Sequence, residues 1–269
     1  MRVFCTLFDI NYAPKGLALY RSLRRFYNEF LLYVCPLDQL TEMAFRKLGV
    51  DCTFIKPEQF ISADRLYAIK TNRQYPQYCW TLPSQLIPKL LSDHHEVTYL
   101  DSDLYFYSDP ERCFDEMGQA SVAVNPHRFP PHDAARLNPN GLYNVGMVTV
   151  RNTTPGSMIM QRWRDQVFQE CSERTCGDQK YLDEWPELLG ADFHAYQDIG
   201  IGLAPWNISQ YEVKDMKVNG MDIVFYHFHE FRRYGDGTYR LTGYPLRRDD
   251  IEGVYIPYII EHEIAFRDI

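Results

Sequence analysis

Val3 to Phe8, apolar except at Thr6, reads as a buried strand, after which the chain turns polar over Asp9-Ile10-Asn11-Tyr12-Ala13-Pro14-Lys15-Gly16. Leu17, Tyr20, Leu23 and Tyr27 then recur at helical spacing, with Arg21, Arg24 and Arg25 spread around them. Phe30 to Cys35 is a second apolar strand. Asp38 stands where a helix cap belongs, ahead of Leu40, Met43, Ala44 and Leu48, and Cys52 to Ile55 makes a third strand. Strands alternating with helices predict a mostly parallel central sheet flanked by helices. Such sheets bind ligands in the crevice beyond the carboxyl ends of their strands, which sets the Asp9 to Tyr12 loop beside the ligand.

Residues 62–80 are polar and read as irregular. Thr81-Leu82-Pro83 looks like a helix start, with Leu82, Leu86, Leu90 and Leu91 on its apolar face and Pro88 bending or shortening it. Glu96 to Leu100 is a strand, and Ser121 to Val124 a shorter one. The Pro-, His- and Asn-rich stretch 125–141 is a long loop, either bordering a second-substrate site or a solvated excursion. Tyr143 to Val150 reads as a strand and Pro155 to Phe168 as a helix with Ile159, Trp163 and Val167 on one face. Cys176-Gly177-Asp178-Gln179 opens a short helix with Asp178 near its positive end. Gly200 to Asn207 is a glycine-punctuated turn, and Asp222 to Tyr226 a strand running into His227-Phe228-His229. Residues 1–231 then form the main domain and 232–269 a C-terminal extension packed on it. Arginines and tyrosines interleave in the extension, as an acceptor or membrane-surface face or as a solvated surface. Ile256, Ile259, Ile260 and Ile264 would pack its last helix onto the body or onto another subunit.

Within this pattern one stretch carries chemistry. Asp101 and Asp103 follow the apolar run Val97-Thr98-Tyr99-Leu100 and precede Leu104-Tyr105-Phe106. Positions i and i+2 of a strand point the same way, so the two carboxylates converge at or just past its end. Like charges held that close repel unless a cation lies between them, and oxygen ligands suit Mg²⁺ or Mn²⁺. His227 and His229 repeat the same spacing after a later strand, and either supplies a third ligand.

Composition narrows the options. The net charge of -8 argues against broad nucleic-acid binding, which needs a basic face. The 20 Tyr and 16 Phe supply core and also surfaces suited to stacking on sugars or bases. The 7 cysteines are odd in number and scattered, without a Cys-x-x-Cys, which predicts free thiols in a reducing cytoplasm. Met1-Arg2-Val3-Phe4-Cys5 has no signal-peptide pattern, and no apolar run is long enough to span a bilayer, leaving peripheral membrane contact as an option.

The ordered set of motifs resembles the GT-A-fold glycosyltransferases, in particular the glycogenin-like retaining group (family 8) and small bacterial relatives. Cys5-Thr6-Leu7-Phe8-Asp9-Ile10-Asn11-Tyr12 resembles that group's first strand and nucleotide loop. Tyr99-Leu100-Asp101-Ser102-Asp103 resembles its metal-binding element, and Tyr143-Asn144-Val145-Gly146 a strand lining the donor sugar. Gly177-Asp178-Gln179 resembles the element beside the anomeric carbon, and Val224-Phe225-Tyr226-His227-Phe228 the late strand whose His completes the metal site. The resemblance implies a metal-dependent transferase that moves a sugar from a nucleotide diphosphate, UDP by default, to a hydroxyl of a glycan or lipid-linked acceptor. The resembled group retains configuration; inversion stays open, and there Asp178 would be the first candidate for general base, with bacterial surface glycan assembly as one setting for either. Asp101, Asp103 and His227 would hold Mn²⁺ or Mg²⁺; Thr6, Asp9, Asn11, Tyr12, Lys70, Ser102, Asn144 and Gly146 the donor; and Asp178 and Gln179 the reacting centre. The Gly and Lys-Pro-Trp that often follow the metal His in that group are replaced by Glu230-Phe231-Arg232-Arg233, so Arg232 or Arg233 would have to meet the diphosphate. Two other readings compete. One is an Asp-x-Asp phosphohydrolase with Asp101 as nucleophile; the other is a nucleotide-sugar-binding protein without catalysis.

Overall fold

In the computed structural model, which describes residues 1–269, the first apolar run forms strand β1 (Arg2–Phe8). Helix α1 (Ala13–Arg24) returns the chain to a parallel neighbour, β2 (Phe30–Pro36). Helix α2 (Gln39–Lys47) is capped by the Asp38 carboxylate, which accepts from the Thr41 amide at 2.7 Å, and leads into the short β3 (Thr53–Phe54).

Helices α3 (Ala63–Asn72) and α4 (Tyr75–Leu91) precede β4 (Glu96–Leu100). Residues 62–80 are thus mostly helical rather than irregular, and the helix expected from Thr81 begins at Tyr75. Their polarity belongs to exposed helix faces. Pro76 sits in the first turn of α4, where no amide is needed, and buried Leu82, Leu86 and Leu90 hold the helix through Pro83 and Pro88. Next come β5 (Leu104–Phe106), α5 (Glu111–Met117), β6 (Val122–Pro126), α6 (Leu137–Asn140), β7 (Tyr143–Arg151) and α7 (Thr154–Gln169). Helix α8 (Trp185–Leu189) and strand β8 (Phe193–Ala195) follow.

The central sheet has seven strands in the order β3-β2-β1-β4-β7-β6-β8. Strand β1 pairs parallel with β2 and β4, β2 with β3, and β6 with β8. Only β7 is reversed, running antiparallel between β4 and β6. That reversal brings the beginning of β7 beside the end of β4, with Met147 opposite Leu100. Both faces of the sheet are covered, which is why β1 is apolar at consecutive positions. Cys5 and Leu7 pack with Leu82, Leu86 and Trp163 on one side, and Phe4 and Phe8 with Leu17 and Leu23 on the other.

A small antiparallel sheet of β9 (Val213–Lys214), β10 (Lys217–Val218) and β11 (Met221–Asp222) precedes β12 (Phe225–His227). The strand expected over Asp222 to Tyr226 is therefore two short ones. β12 pairs antiparallel with β5, setting His227 opposite Leu104. Hairpin β13 (Arg232–Arg233) and β14 (Tyr239–Arg240), then α9 (Arg248–Asp250) and α10 (Ile256–Asp268), complete the chain. Tyr258 stacks on Phe228 with centroids 3.6 Å apart and meets Tyr105 edge-on, so residues 232–269 share a core with the body. The buried face of α10 is Tyr258, His262 and Ala265. Of the four isoleucines expected to pack the helix onto the body or onto another subunit, Ile259 lies against this aromatic core, while Ile256, Ile260 and Ile264 are exposed and face away from the body. No helix is long and apolar enough to cross a membrane.

Trp163 ties this core to the site described next. It is fully buried edge-on to Trp185, and its Nε1–H donates to the Asp178 carbonyl at 2.8 Å. Trp163→Ala should lower the unfolding free energy by about 3–5 kcal/mol in urea denaturation, with an unchanged m value.

Candidate active site

Three segments far apart in sequence meet at the carboxyl edge of the sheet. Strand β4 ends at Leu100, and Asp101-Ser102-Asp103 forms a tight turn into β5; the Asp101 amide donates to the Gly146 carbonyl of β7 at 2.7 Å. The two carboxylates converge through this turn rather than through strand alternation. The Phe228 amide donates to the Asp103 carbonyl at 2.9 Å, which fixes the end of β12 against the same turn. One ligand atom each from Asp101, Asp103 and His227 lies within 4.8 Å of the other two. His227 Nε2 is 3.1 Å from Asp103 Oδ1 and 3.7 Å from Asp101 Oδ2. His229, the other candidate ligand, is exposed and lies against Trp206 and Tyr244 instead.

The surroundings handle the repulsion asymmetrically. Lys15 of α1, buried and absent from the sequence expectations, places Nζ 3.6 Å from Asp103 Oδ2 and 4.2 Å from the Tyr12 ring centroid. Burial alone would raise the Asp103 carboxyl, but His227 and Lys15 together take it below its usual range. Asp101 receives a hydrogen bond from the Tyr99 hydroxyl at 2.8 Å, yet burial and its neighbour Asp103 leave it raised. Burial would lower His227, and the carboxylates reverse that and raise it. Lys15 is lowered by burial despite Asp103. Two oxygens and an imidazole nitrogen around a cluster with surplus negative charge match Mn²⁺ or Mg²⁺.

Asp178 completes the acidic group. It is buried, its Oδ2 has no hydrogen-bond partner, and burial with Asp101 nearby pushes its carboxyl well above the usual range. It does not cap a helix. Cys176 adopts a left-handed conformation, Gly177 follows at φ +70°, and a 3₁₀ turn starts only at Lys180. Gln179 accepts from Asn144 Nδ2 at 2.9 Å, and Gly146 packs so closely that a Cβ there would lie 2.7 Å from His227 Nδ1. Asn144, Gly146, Asp178 and Gln179 thus share the site with the three ligands. The stretch 125–141, expected as a loop, is largely structured, as the end of β6, a 3₁₀ turn over Pro131–Arg136 and α6, and it reaches the site through Asn140, whose carbonyl accepts from Gln179 Nε2 at 2.9 Å.

On the other side stands the loop after β1. Asp9 Oδ1 accepts from the Asn11 and Tyr12 amides at 3.0 and 3.2 Å, and Asp9 Oδ2 from the Tyr75 hydroxyl at 2.9 Å. Asp38 braces the loop by accepting from the Ile10 amide at 2.8 Å. Tyr12 is half-exposed, whereas Thr6 and Ser102 are buried, the Thr6 hydroxyl without a partner. Lys70 stands apart from the carboxylates. It lines a cleft of about 420 Å³ with Asp38, Glu58 and Tyr78, and pairs with Glu58 at 3.2 Å. Arg233 is held by Glu263 at 2.6 Å and lies over the Phe266 ring, while the charge of Arg232 acts on both Tyr12 and Lys15. Lys15 was not legible because it fell in the stretch read as a polar loop, where a lysine reads as solvated, whereas α1 already starts at Ala13 and buries it; the only hint was its place between Tyr12 and an apolar helix face.

A family model for nucleotide-diphospho-sugar transferases matches residues 31–223. The uncharacterized Bacillus subtilis protein YfnD is 30% identical over 273 residues, covering 96% of this chain and 87% of its own length. YfnF of the same organism is 26% identical over 286 residues, covering 96% and 93%. Among solved structures, the galactosyltransferase LgtC with donor and acceptor sugar analogs superposes with a TM-score of 0.61 at 15% identity, covering 98% of this chain and 95% of that one. Mouse xyloside xylosyltransferase 1 gives 0.53 at 13% identity, covering 85% and 98%.

The buried acid has a measurable signature. A carboxyl raised on folding keeps its proton while the unfolded chain ionises, so its destabilising effect is absent below the ordinary carboxylate range and grows as pH rises through it. Asp178→Asn should therefore be more stable than wild type in urea at pH 8 and nearly equal to it at pH 3.5, conditions set by that ordinary range of about 4.

Proposed function

The chain belongs to the nucleotide-diphospho-sugar transferase family, with the GT-A glycosyltransferase fold, and we propose that it transfers a hexose or amino-hexose from a UDP-sugar to a hydroxyl of a glycan or lipid-linked acceptor. The observation that carries this reading is the convergence of Asp101, Asp103 and His227 at the sheet edge, beside the segment after β1 through Lys15 and Tyr12. The donor set fits a resident Mn²⁺ or Mg²⁺, which when bound supplies Lewis-acid stabilisation to a diphosphate leaving group.

The chain's own residues do the rest. Asp9, Asn11 and Tyr12 take base and ribose, with Thr6 and Ser102 lining the same crevice; Asp9 is already oriented by two backbone amides and Tyr75. Lys15 and Arg232 bring positive charge to the side of Asp103 where phosphate oxygens belong, and Arg232 rather than Arg233 takes the place of the missing lysine because Arg233 is committed to Glu263. Lys70, engaged with Glu58, contributes at the outer edge of the donor crevice. Asn144 and Gly146 border the sugar. Asp178, with Gln179 beside it, provides the group nearest the anomeric carbon, where positive charge grows in an oxocarbenium-like transition state. In a retaining transfer the acceptor hydroxyl attacks on the face the nucleotide leaves, the bond from anomeric carbon to diphosphate oxygen breaks, and that oxygen takes the acceptor's proton. The free thiols support work in the cytoplasm, and bacterial surface glycan assembly is the setting proposed for the transfer.

With Mn²⁺ present, UDP should raise the melting temperature, and UDP-sugar should be transferred or slowly hydrolysed. Asp103→Ala should abolish the metal-dependent shift and slow turnover by about 10²–10³-fold or more. Hydrolysis of simple phosphate esters without any nucleotide-dependent shift would instead favour a phosphohydrolase.

A further inference from the structure

The beginning of β7 and the Cys176–Gln179 loop are joined by hydrogen bonds whose directions two backbone amides dictate. The Gly146 N–H can only donate, and it meets Asn144 Oδ1 at 2.8 Å, so the atom there is the amide oxygen. The Val145 N–H likewise identifies Gln179 Oε1, at 3.3 Å, as an oxygen. Asn144 Nδ2 therefore donates to Gln179 Oε1 at 2.9 Å, and Gln179 Nε2 donates outward to the Asn140 carbonyl at 2.9 Å and to Cys176 Sγ at 3.5 Å. One assignment remains for the ring that ends the chain. His227 Nδ1 lies 3.2 Å from Asn144 Oδ1, an acceptor, so Nδ1 carries hydrogen and Nε2 is the nitrogen turned toward Asp103 and Asp101. Gly146 belongs to the device, because a Cβ there would lie 2.6 Å from Asn144 Oδ1 and 2.7 Å from His227 Nδ1.

We infer that Asn144 and Gln179 are positioning residues that decide which nitrogen His227 offers to the metal, with Gln179 acting through Asn144. The inference rests on the metal-dependent reading given above. An imidazole ligand whose second N–H is held by an oxygen is fixed in orientation and made more basic, and removing such an acceptor costs about 10–100-fold in metal affinity. It also gives Gln179 a different task from contact with the sugar. Its oxygen already accepts from Asn144 and Val145, and its nitrogen is spent on Asn140 and Cys176, so all of its polar atoms face the protein. The metal ligand on β12 and the loop carrying Asp178 are thereby mechanically linked through β7.

The test is Mn²⁺ titration of the full chain, without nucleotide, followed by electron paramagnetic resonance of the free ion. Asn144→Leu, similar in size but without an acceptor, should bind Mn²⁺ about 10–100-fold more weakly than wild type. Asn144→Asp keeps an oxygen toward Nδ1, though it loses the N–H that meets Gln179 Oε1, and should bind Mn²⁺ more tightly than Asn144→Leu. Gln179→Glu, which retains the accepting oxygen, should bind more tightly than Gln179→Leu, and this second pair serves if Asn144→Leu does not fold. Equal affinity in Asn144→Leu and wild type, or Asn144→Asp as weak as Asn144→Leu, or loss of turnover in Gln179→Leu with Mn²⁺ affinity unchanged, would overturn the inference. A wild-type chain that binds no Mn²⁺ would instead overturn the metal-dependent reading beneath it.

Discussion

Asp101 and Asp103 are held in one half-buried turn with oxygens close enough to share a ligand, and a folded chain can keep them there only by bringing positive charge from elsewhere. No neighbour in sequence supplies it: Lys15 comes from the start of α1 and His227 from the end of β12, while the nearby Tyr99 hydroxyl adds only a neutral hydrogen bond to Asp101. Each element of the topology serves this convergence. The reversed strand β7 anchors the turn at Gly146, and the pairing of β12 with β5 delivers His227 opposite Leu104. Tyr258 of the C-terminal segment backs the chain just beyond His227 by stacking on Phe228. Remove any of these and the carboxylates lose either a partner or their register.

Much of this was legible before any coordinates. Apolar runs marked β1, β2 and β4 because both faces of the sheet are covered, and the carboxylates stood out because they interrupt such a run. The regions that were misread share a physical cause. Residues 62–80 look like loop because α3 and the first turns of α4 expose one side, and because prolines that usually end a helix are tolerated once Leu82, Leu86 and Leu90 are buried. Of the isoleucines of α10 only Ile259 meets the body, because the surface there is lined by Tyr105, Phe228 and Phe231, which take Tyr258 and His262 and leave Ile256, Ile260 and Ile264 outside. Pairings between distant residues, such as Lys15 with Asp103 or Gln179 with Asn144, leave no periodic trace at all.

The site also shows where function costs stability. Asp178 is buried without a partner for Oδ2 next to another acid, and the Thr6 hydroxyl is unpaired close to the donor loop. Groups left in this state destabilise a fold unless a ligand meets them. A metal ion held by Asp101, Asp103 and His227 would offset the Asp101 charge that adds to the cost of Asp178, and a polar ligand in the crevice would meet the Thr6 hydroxyl. The hydrogen-bonded chain from Gln179 to Asn144 to His227 is fully satisfied by contrast, as befits parts that orient rather than react.

The most direct test of this account is a crystal grown with Mn²⁺ and UDP and measured at the manganese absorption edge. The account predicts an anomalous peak bounded by Asp101, Asp103 and His227 Nε2, with the diphosphate on the side of Lys15 and Arg232. A peak elsewhere, or none while Asp103 stays paired to Lys15 and His227, would contradict it.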